Sequence, residues 1–428
     1  MNRTADHERE LVTPPSVAFD VLPSAPAAAP AVPDRQRVRR RRVAMSALAL
    51  GGFGIGTTEF VSMGLLPDMA TSMSVSEPSA GHLISAYALG VVVGAPVIAA
   101  LAARVPRRIL LLALMVAFTL GNLGTVFAPS FHELMASRFV AGLPHGAYFG
   151  VAALVAAHLA DPGKRAKSVA MVMMGLSVAN VVGVPAATWI GQAFGWRSAF
   201  GIVAVIGALT VTALAVWLPR LDSMPTTDTR TELGAFRRTQ VWMTLFVGMV
   251  GFGGMFAVYT YIATTLTDVS GLSKAAVPVA LMIYGLGMVA GNFLGGWIAD
   301  RMLVPGLFLA MTSVAVSLAV FVAAAHNPVT ALIVVFLIAA SGSAIVPGLQ
   351  TRLMDVAADA QTLAASLNHA AFNFANALGA ALGGAVIAAG FGYTAPAVVG
   401  AGLAIAGIAV LATSVAMQRR TDARAVVV

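Results

Sequence analysis

The chain has 428 residues, of which 58% are hydrophobic and only 10% charged, with 26 Lys and Arg against 18 Asp and Glu. Its apolar residues come in runs near membrane-spanning length, which excludes an ordinary soluble globule. It contains no cysteine, so disulfides and thiolate metal sites are excluded. The net charge of +8 does not point to nucleic acid, because the basic residues gather at alternate ends of the apolar runs and not on one soluble face.

Residues 1–42 are rich in Ala, Pro and charge, with little large apolar surface, and read as a disordered basic tail. Arg39 to Arg42 before an apolar run imitates a signal peptide. That run is too long, holds Glu59 and shows no clear small-residue cleavage site, so an uncleaved first span is expected. Predominantly apolar windows then fall at about 43–66, 80–103, 108–128, 132–157, 166–190 and 196–218. Six more follow at about 241–266, 276–299, 303–324, 328–350, 362–389 and 393–417. The fold class is an all-α polytopic membrane protein with twelve transmembrane helices. The ten-residue alternation of a membrane β-barrel is missing.

The domain plan has an N-terminal six-helix bundle over 43–218, a polar linker over 219–240, a C-terminal six-helix bundle over 241–417 and a tail over 418–428. With the N-terminus inside, Arg35 to Arg42, Arg104, Arg107, Arg108, Lys164, Arg165, Lys167, Arg220, Arg230, Arg237, Arg238, Arg301, Arg352, Arg419, Arg420 and Arg424 collect on the cytoplasmic side. Only Arg197 and Lys274 stay outside. The positive-inside rule thus places both termini in the cytoplasm of a cell-membrane protein.

The two halves repeat. Tyr87-Ala-Leu-Gly-Val-Val-Val-Gly94 returns as Tyr284-Gly-Leu-Gly-Met-Val-Ala-Gly291, Gly52-Phe-Gly54 as Gly251-Phe-Gly253, and Ala179-Asn180 to Gly183 as Ala375-Asn376 to Gly379. A duplicated apolar half is the usual trace of a secondary transporter. Function is then sought where the halves differ.

Charged residues within the hydrocarbon each cost about 2.5–3.5 kcal/mol at a span centre and are functional candidates by default. Glu59 in span one and Arg138 in span four lie at similar depth, and two readings stand for them: a buried structural ion pair, or separate functional groups. The repeat puts Val258 opposite Glu59, so the scaffold needs no acid there. A carboxylate desolvated among Gly52, Gly56, Met63 and Leu66 suits reversible proton binding, and Glu59 is the proton-coupling candidate. His145 in span four is a candidate for proton relay or substrate contact. In span eleven His369, Asn373 and Asn376 share a face; His369 and Asn373 are cavity candidates. Asn180 and Asn376 are matched in the repeat, which favours hydrogen bonding to neighbouring helices. Phe256 and Tyr259, with Phe252, recur at helical spacing in span seven, as an aromatic wall or as packing. No nucleotide fold, Walker motif or metal-ligand cluster appears, so no cofactor is expected and the energy source is an ion gradient or the substrate's own.

Residues 43–417 resemble the major facilitator superfamily, in its twelve-span drug:proton antiporter group, and within it the arabinose-efflux-permease and chloramphenicol-exporter branch. The resemblance is carried by Thr58-Glu59-Phe60-Val-Ser-Met-Gly64-Leu-Leu-Pro67-Asp68, by Tyr87 to Pro96, and by Gly142-Leu-Pro-His145-Gly146-Ala-Tyr-Phe-Gly150. It implies two bundles around a central cavity lined by spans one, four, seven and ten, and export of a small molecule against inward proton flow. It also implies a cytoplasmic gate. Arg104 and Arg108 belong to a partial first-half motif in which Ala103 and Pro106 replace the acid and the glycine, and Asp300 and Arg301 to a second-half copy that keeps the acid. The partners expected are a small-molecule substrate, protons and the lipid bilayer, with a monomer sufficient to complete the cavity. Two alternatives are a sugar or nucleoside uptake carrier of the same fold and an integral-membrane sensor or enzyme. The latter needs an output domain or catalytic constellation, and neither is visible.

Overall fold

The computed structural model describes residues 35–102, 105–160, 165–221, 237–357 and 361–426. Arg104 and most of the linker lie outside them. Residues 35–42, read from composition as disordered, continue span one as helix from Arg35, because a run of good helix formers adjoins an apolar helix already formed.

Eleven helices among the described residues are long and apolar enough to cross a membrane: Arg39–Gly64, Glu77–Ile98, Arg107–Phe127, Phe131–His158, Ser168–Phe194, Trp196–Trp217, Thr239–Thr260, Lys274–Ala324, Pro328–Ala357, Ser366–Ala388 and Ala395–Arg420. One of them is two spans. Its continuous part, Val277–Ala324, has 48 residues, about 72 Å at 1.5 Å per residue, more than twice the hydrocarbon thickness of about 30 Å. It breaks at Met302, where φ is −149° and ψ 68°. Pro305 is the cause, since it removes the N–H that would bond the Arg301 carbonyl and its ring crowds that turn. Spans eight and nine therefore part at Met302, and the twelve expected helices are present. The end at which span one begins and span twelve finishes is termed proximal, and the opposite end distal.

Proline shapes two further spans. Span four stops at Gly142 and restarts at His145, because Pro144 cannot bond Val140. In span five a π-helical turn at Ala179–Gly183 precedes Pro185.

The sequence repeat is also a repeat of contacts. A Cβ on Gly90 would collide with the Phe139 carbonyl oxygen, and one on Gly94 with that of Leu143. Exactly matched collisions, 197 positions on, would set Gly287 against Phe336 and Gly291 against Ala340, and Gly295 against Ala344 extends the row. Spans two and four, and spans eight and ten, thus run side by side with backbones in near contact. Each half also closes span one or seven onto span five or eleven: Gly175 meets the Ala49 carbonyl, and Gly379 that of Gly253.

This packing predicts a sharp contrast among glycines of one helix. Gly291→Ala, and its twin Gly94→Ala, force backbone apart and should lower stability by about 1–3 kcal/mol, visible as earlier melting in detergent. Gly296→Ala, whose Cβ would meet nothing within 4 Å, should match the parent or melt slightly later by helix propensity.

Candidate functional site

Span one supplies Glu59, which is 6% exposed and makes no hydrogen bond or ion pair among the described residues. Arg138 is fully buried beside it, at the depth the sequence suggested, but it does not pair with the acid. Its Nη1 donates to Thr58 Oγ1 at 3.0 Å and its Nη2 to the Thr58 carbonyl at 2.9 Å. The guanidinium carbon lies 4.5 Å from the centroid of the Tyr87 ring and 5.0 Å from that of Phe200. Thr58 in turn donates to Asn122 Oδ1. Of the two readings, the ion pair is therefore the one not formed among the described residues: backbone and aromatic faces hold the cation, and the carboxylate is left free. Glu59 remains close enough for its charge to act on Arg138, Tyr87 and Tyr259.

The restart of span four at Pro144 sets His145 into the core, 1% exposed. The Tyr87 hydroxyl and His145 Nδ1 are 3.1 Å apart. The His145 ring then meets His369 of span eleven, centroid to centroid at 6.1 Å, while Phe149 stacks on His369 at 5.3 Å and 9°. His145 and His369 are thus brought together across the two halves. Asn373 donates to the His369 carbonyl one turn below, and its Oδ1 has no partner.

The other candidates separate. Phe256 stacks on Phe60 at 6.3 Å, and Tyr259 leans on Phe60 at 5.8 Å and stacks on Tyr284 at 3.8 Å. They are buried packing between the halves in this state. Asn180 bonds its own helix at the Leu176 carbonyl and Asn376 has no partner, so the expected bonds to neighbouring helices are not formed. At the proximal end, Arg108 donates to the Ala215 carbonyl at 2.6 Å. Asp300 is exposed without an ion pair among the described residues, and Arg301 lies over the Trp297 ring at 4.1 Å. The second-half acid and base therefore form no lock here, because the Trp297 face captures the guanidinium.

The halves are joined at the distal end. Asp68 pairs with Lys274, whose carbonyl accepts from Gln192 Nε2 at 3.2 Å. Glu77 at the head of span two accepts from Thr264 and neighbours Tyr393, whose hydroxyl is pushed up to about 12 by burial and by that carboxylate, so it stays a donor. Ser85 donates to the Ala377 carbonyl at 3.3 Å, and Gly285 rides against the Asn180 carbonyl.

Sequence reasoning missed Tyr87 and Thr58 as members of the site. Tyr87 lies in a motif that both halves share, which disguised it as scaffold. The register of 197 also sharpens the contrast between halves: Arg138 corresponds to Val335 and His145 to Gly342, while in span one the offset of 199 sets Glu59 opposite Val258. Glu59, Arg138 and His145 belong to the first half, and His369 and Asn373 come to them from the second.

A family model described as Major Facilitator Superfamily matches residues 48–315 and 261–426. The chain is 43% identical to the "Inner membrane transport protein YdhP" of Escherichia coli (strain K12) over 378 residues, 88% of this chain and 96% of that one. It is 36% identical to the "Putative transporter AraJ" of the same strain, over 81% of this chain and 88% of that one. Identity to the "Chloramphenicol resistance protein" of Streptomyces lividans is 34%, again over 81% and 88%. Among solved structures, the crystal structure of a D-xylose-proton symporter superposes with a TM-score of 0.68 at 17% identity, covering 86% of this chain and 97% of that one.

Thr58 is the residue on which the Arg138 arrangement can be tested. Thr58→Val leaves Nη1 of a buried cation without its acceptor and Asn122 without its donor, and should cost about 1–3 kcal/mol in thermal or denaturant unfolding. Thr58→Ser should recover most of it.

Proposed function

This chain belongs to the Major Facilitator Superfamily, and from that premise we propose that it exports small organic molecules across the cell membrane in exchange for protons. It is a membrane transporter and not an enzyme. The observation that carries the finer reading is Glu59: a buried carboxylate without a hydrogen-bond or ion-pair partner among the described residues, beside a cation engaged elsewhere, where the second half has Val258.

A carboxyl group so placed takes up and gives up a proton without breaking an ion pair. Alternating access then needs only that Glu59 reach water from each side in turn. The arginines at the proximal end support placing that end in the cytoplasm, and on this reading the closed distal contacts correspond to a carrier shut to the outside. Substrate enters from the cytoplasm, the halves rock, and a proton reaching Glu59 from outside replaces it and resets the carrier. The proton gradient is the energy source. Similarity to a protein named for chloramphenicol resistance supports export of drug-sized molecules, and a neutral, sparsely charged centre suits weakly polar ligands.

Proton release at constant pH near neutrality, on adding chloramphenicol, arabinose or a purine nucleoside to the purified protein, tests this. Wild type should release protons with a compound it carries. Glu59→Gln should bind but release none, and should lose proton-driven transport in everted vesicles while remaining folded. Binding without release by both proteins would exclude antiport.

A further inference from the structure

Tyr87 is 1% exposed and is engaged on three sides. Its ring face carries the Arg138 guanidinium, its hydroxyl meets His145 Nδ1, and the charge of Glu59 acts on it. His145 is in turn the first-half side chain that faces His369 of the second half. One residue therefore stands between the buried charges of span one and span four and the contact between the halves.

The repeat supplies an internal control. Tyr284 occupies the matching place in span eight, is equally buried and stacks on Tyr259, yet its hydroxyl has no partner. The residues in register with Arg138 and His145 are Val335 and Gly342, so Tyr284 has neither cation nor imidazole to hold. Packing asks for an aromatic ring at both positions; the bond from hydroxyl to imidazole exists at one.

We propose that Tyr87 is a positioning residue of the transport cycle: its ring holds Arg138, and its hydroxyl fixes the His145 imidazole against His369, linking the Glu59–Arg138 charges to the contact between the halves. A phenol hydroxyl suits this because it donates to a neutral Nδ1 and accepts from a protonated one, so the link survives either state of the ring. The groups facing His145 are Tyr87, His369 and Phe149, with Arg138 behind the Tyr87 ring. Separating span four from span eleven removes His369 from this set, so the orientation of His145 bears on which arrangement of the halves is favoured. The link itself stands on geometry; only the event that changes the charge at Glu59 rests on the proton-coupled reading.

The absence of natural cysteine makes the test direct. Spin labels at Thr71→Cys and Ala275→Cys, exposed on either side of the distal closure, report the closed-to-open ratio by pulsed paramagnetic resonance in nanodiscs across a range of pH. Tyr87→Phe and His145→Ala should each change that ratio, on the order of fivefold for one buried hydrogen bond, and the double variant should change it no further. Both should move the pH midpoint together, and Tyr284→Phe should do nothing. Additive effects, or a silent Tyr87→Phe, would overturn the link. Should Tyr87→Phe melt early, His145→Gln on both backgrounds makes the same comparison. A ratio that ignores pH, or a pH response that survives Glu59→Gln, removes proton coupling at Glu59 while the comparison of single and double variants still decides the role of Tyr87.

Discussion

A guanidinium with no exposed surface must be solvated by the protein itself, and the first half is arranged around doing so. Desolvating such an ion costs several kcal/mol even after relaxation. Arg138 of span four recovers this from the Thr58 hydroxyl and carbonyl of span one, the Tyr87 face of span two and the Phe200 face of span six, with Asn122 of span three fixing Thr58. Five helices converge on one side chain. None of the groups that touch it is anionic, so the neighbouring carboxylate stays uncommitted. A structural ion pair would have removed the group on which the proposed proton exchange depends.

Much of the fold was legible because hydrocarbon imposes its own length and polarity. The windows located all twelve spans, including the pair divided at Met302, where only a few polar and basic residues and Pro305 mark the turn. The extent of helix before Arg39 was not legible, since composition does not reveal that an arginine run will extend a neighbouring helix. At the site, comparing halves singled out residues without a twin, Glu59 and His369 among them. It failed where a twin exists but differs in what it touches: Tyr87 and Tyr284 are the same residue in the same motif, and only their neighbours tell them apart. It also misled for Asn180 and Asn376, whose shared identity suggested shared bonds that neither makes. Whether Glu59 pairs with Arg138 stayed open in the sequence for a different reason. Sequence shows charges but not backbone carbonyls, and the Thr58 carbonyl is the stronger-placed acceptor.

The glycine rows show how each half is held together as a unit. Gly90 and Gly94 against span four, and Gly287, Gly291 and Gly295 against span ten, press backbones together with no side chain between them. Each half is thereby stiff along its own length, as packed interiors are. A displacement at span four is transmitted to span two as a rigid movement and not absorbed by side-chain repacking.

The distal closure has a different character. Its one ion pair among the described residues, Asp68 with Lys274, has side chains 23% and 58% exposed, and such a pair contributes about 1 kcal/mol at most in salt solution. The remaining polar joints are single hydrogen bonds, and behind them the halves share the buried packing of Phe60 against Phe256 and Tyr259. The polar rim of this seam adds little free energy of its own. It is also open to the bathing medium: counterions within a Debye length of about 8–10 Å weaken its ion pair. The ionic strength beyond the membrane therefore enters the balance between the two arrangements, acting on the carrier without occupying any site within it.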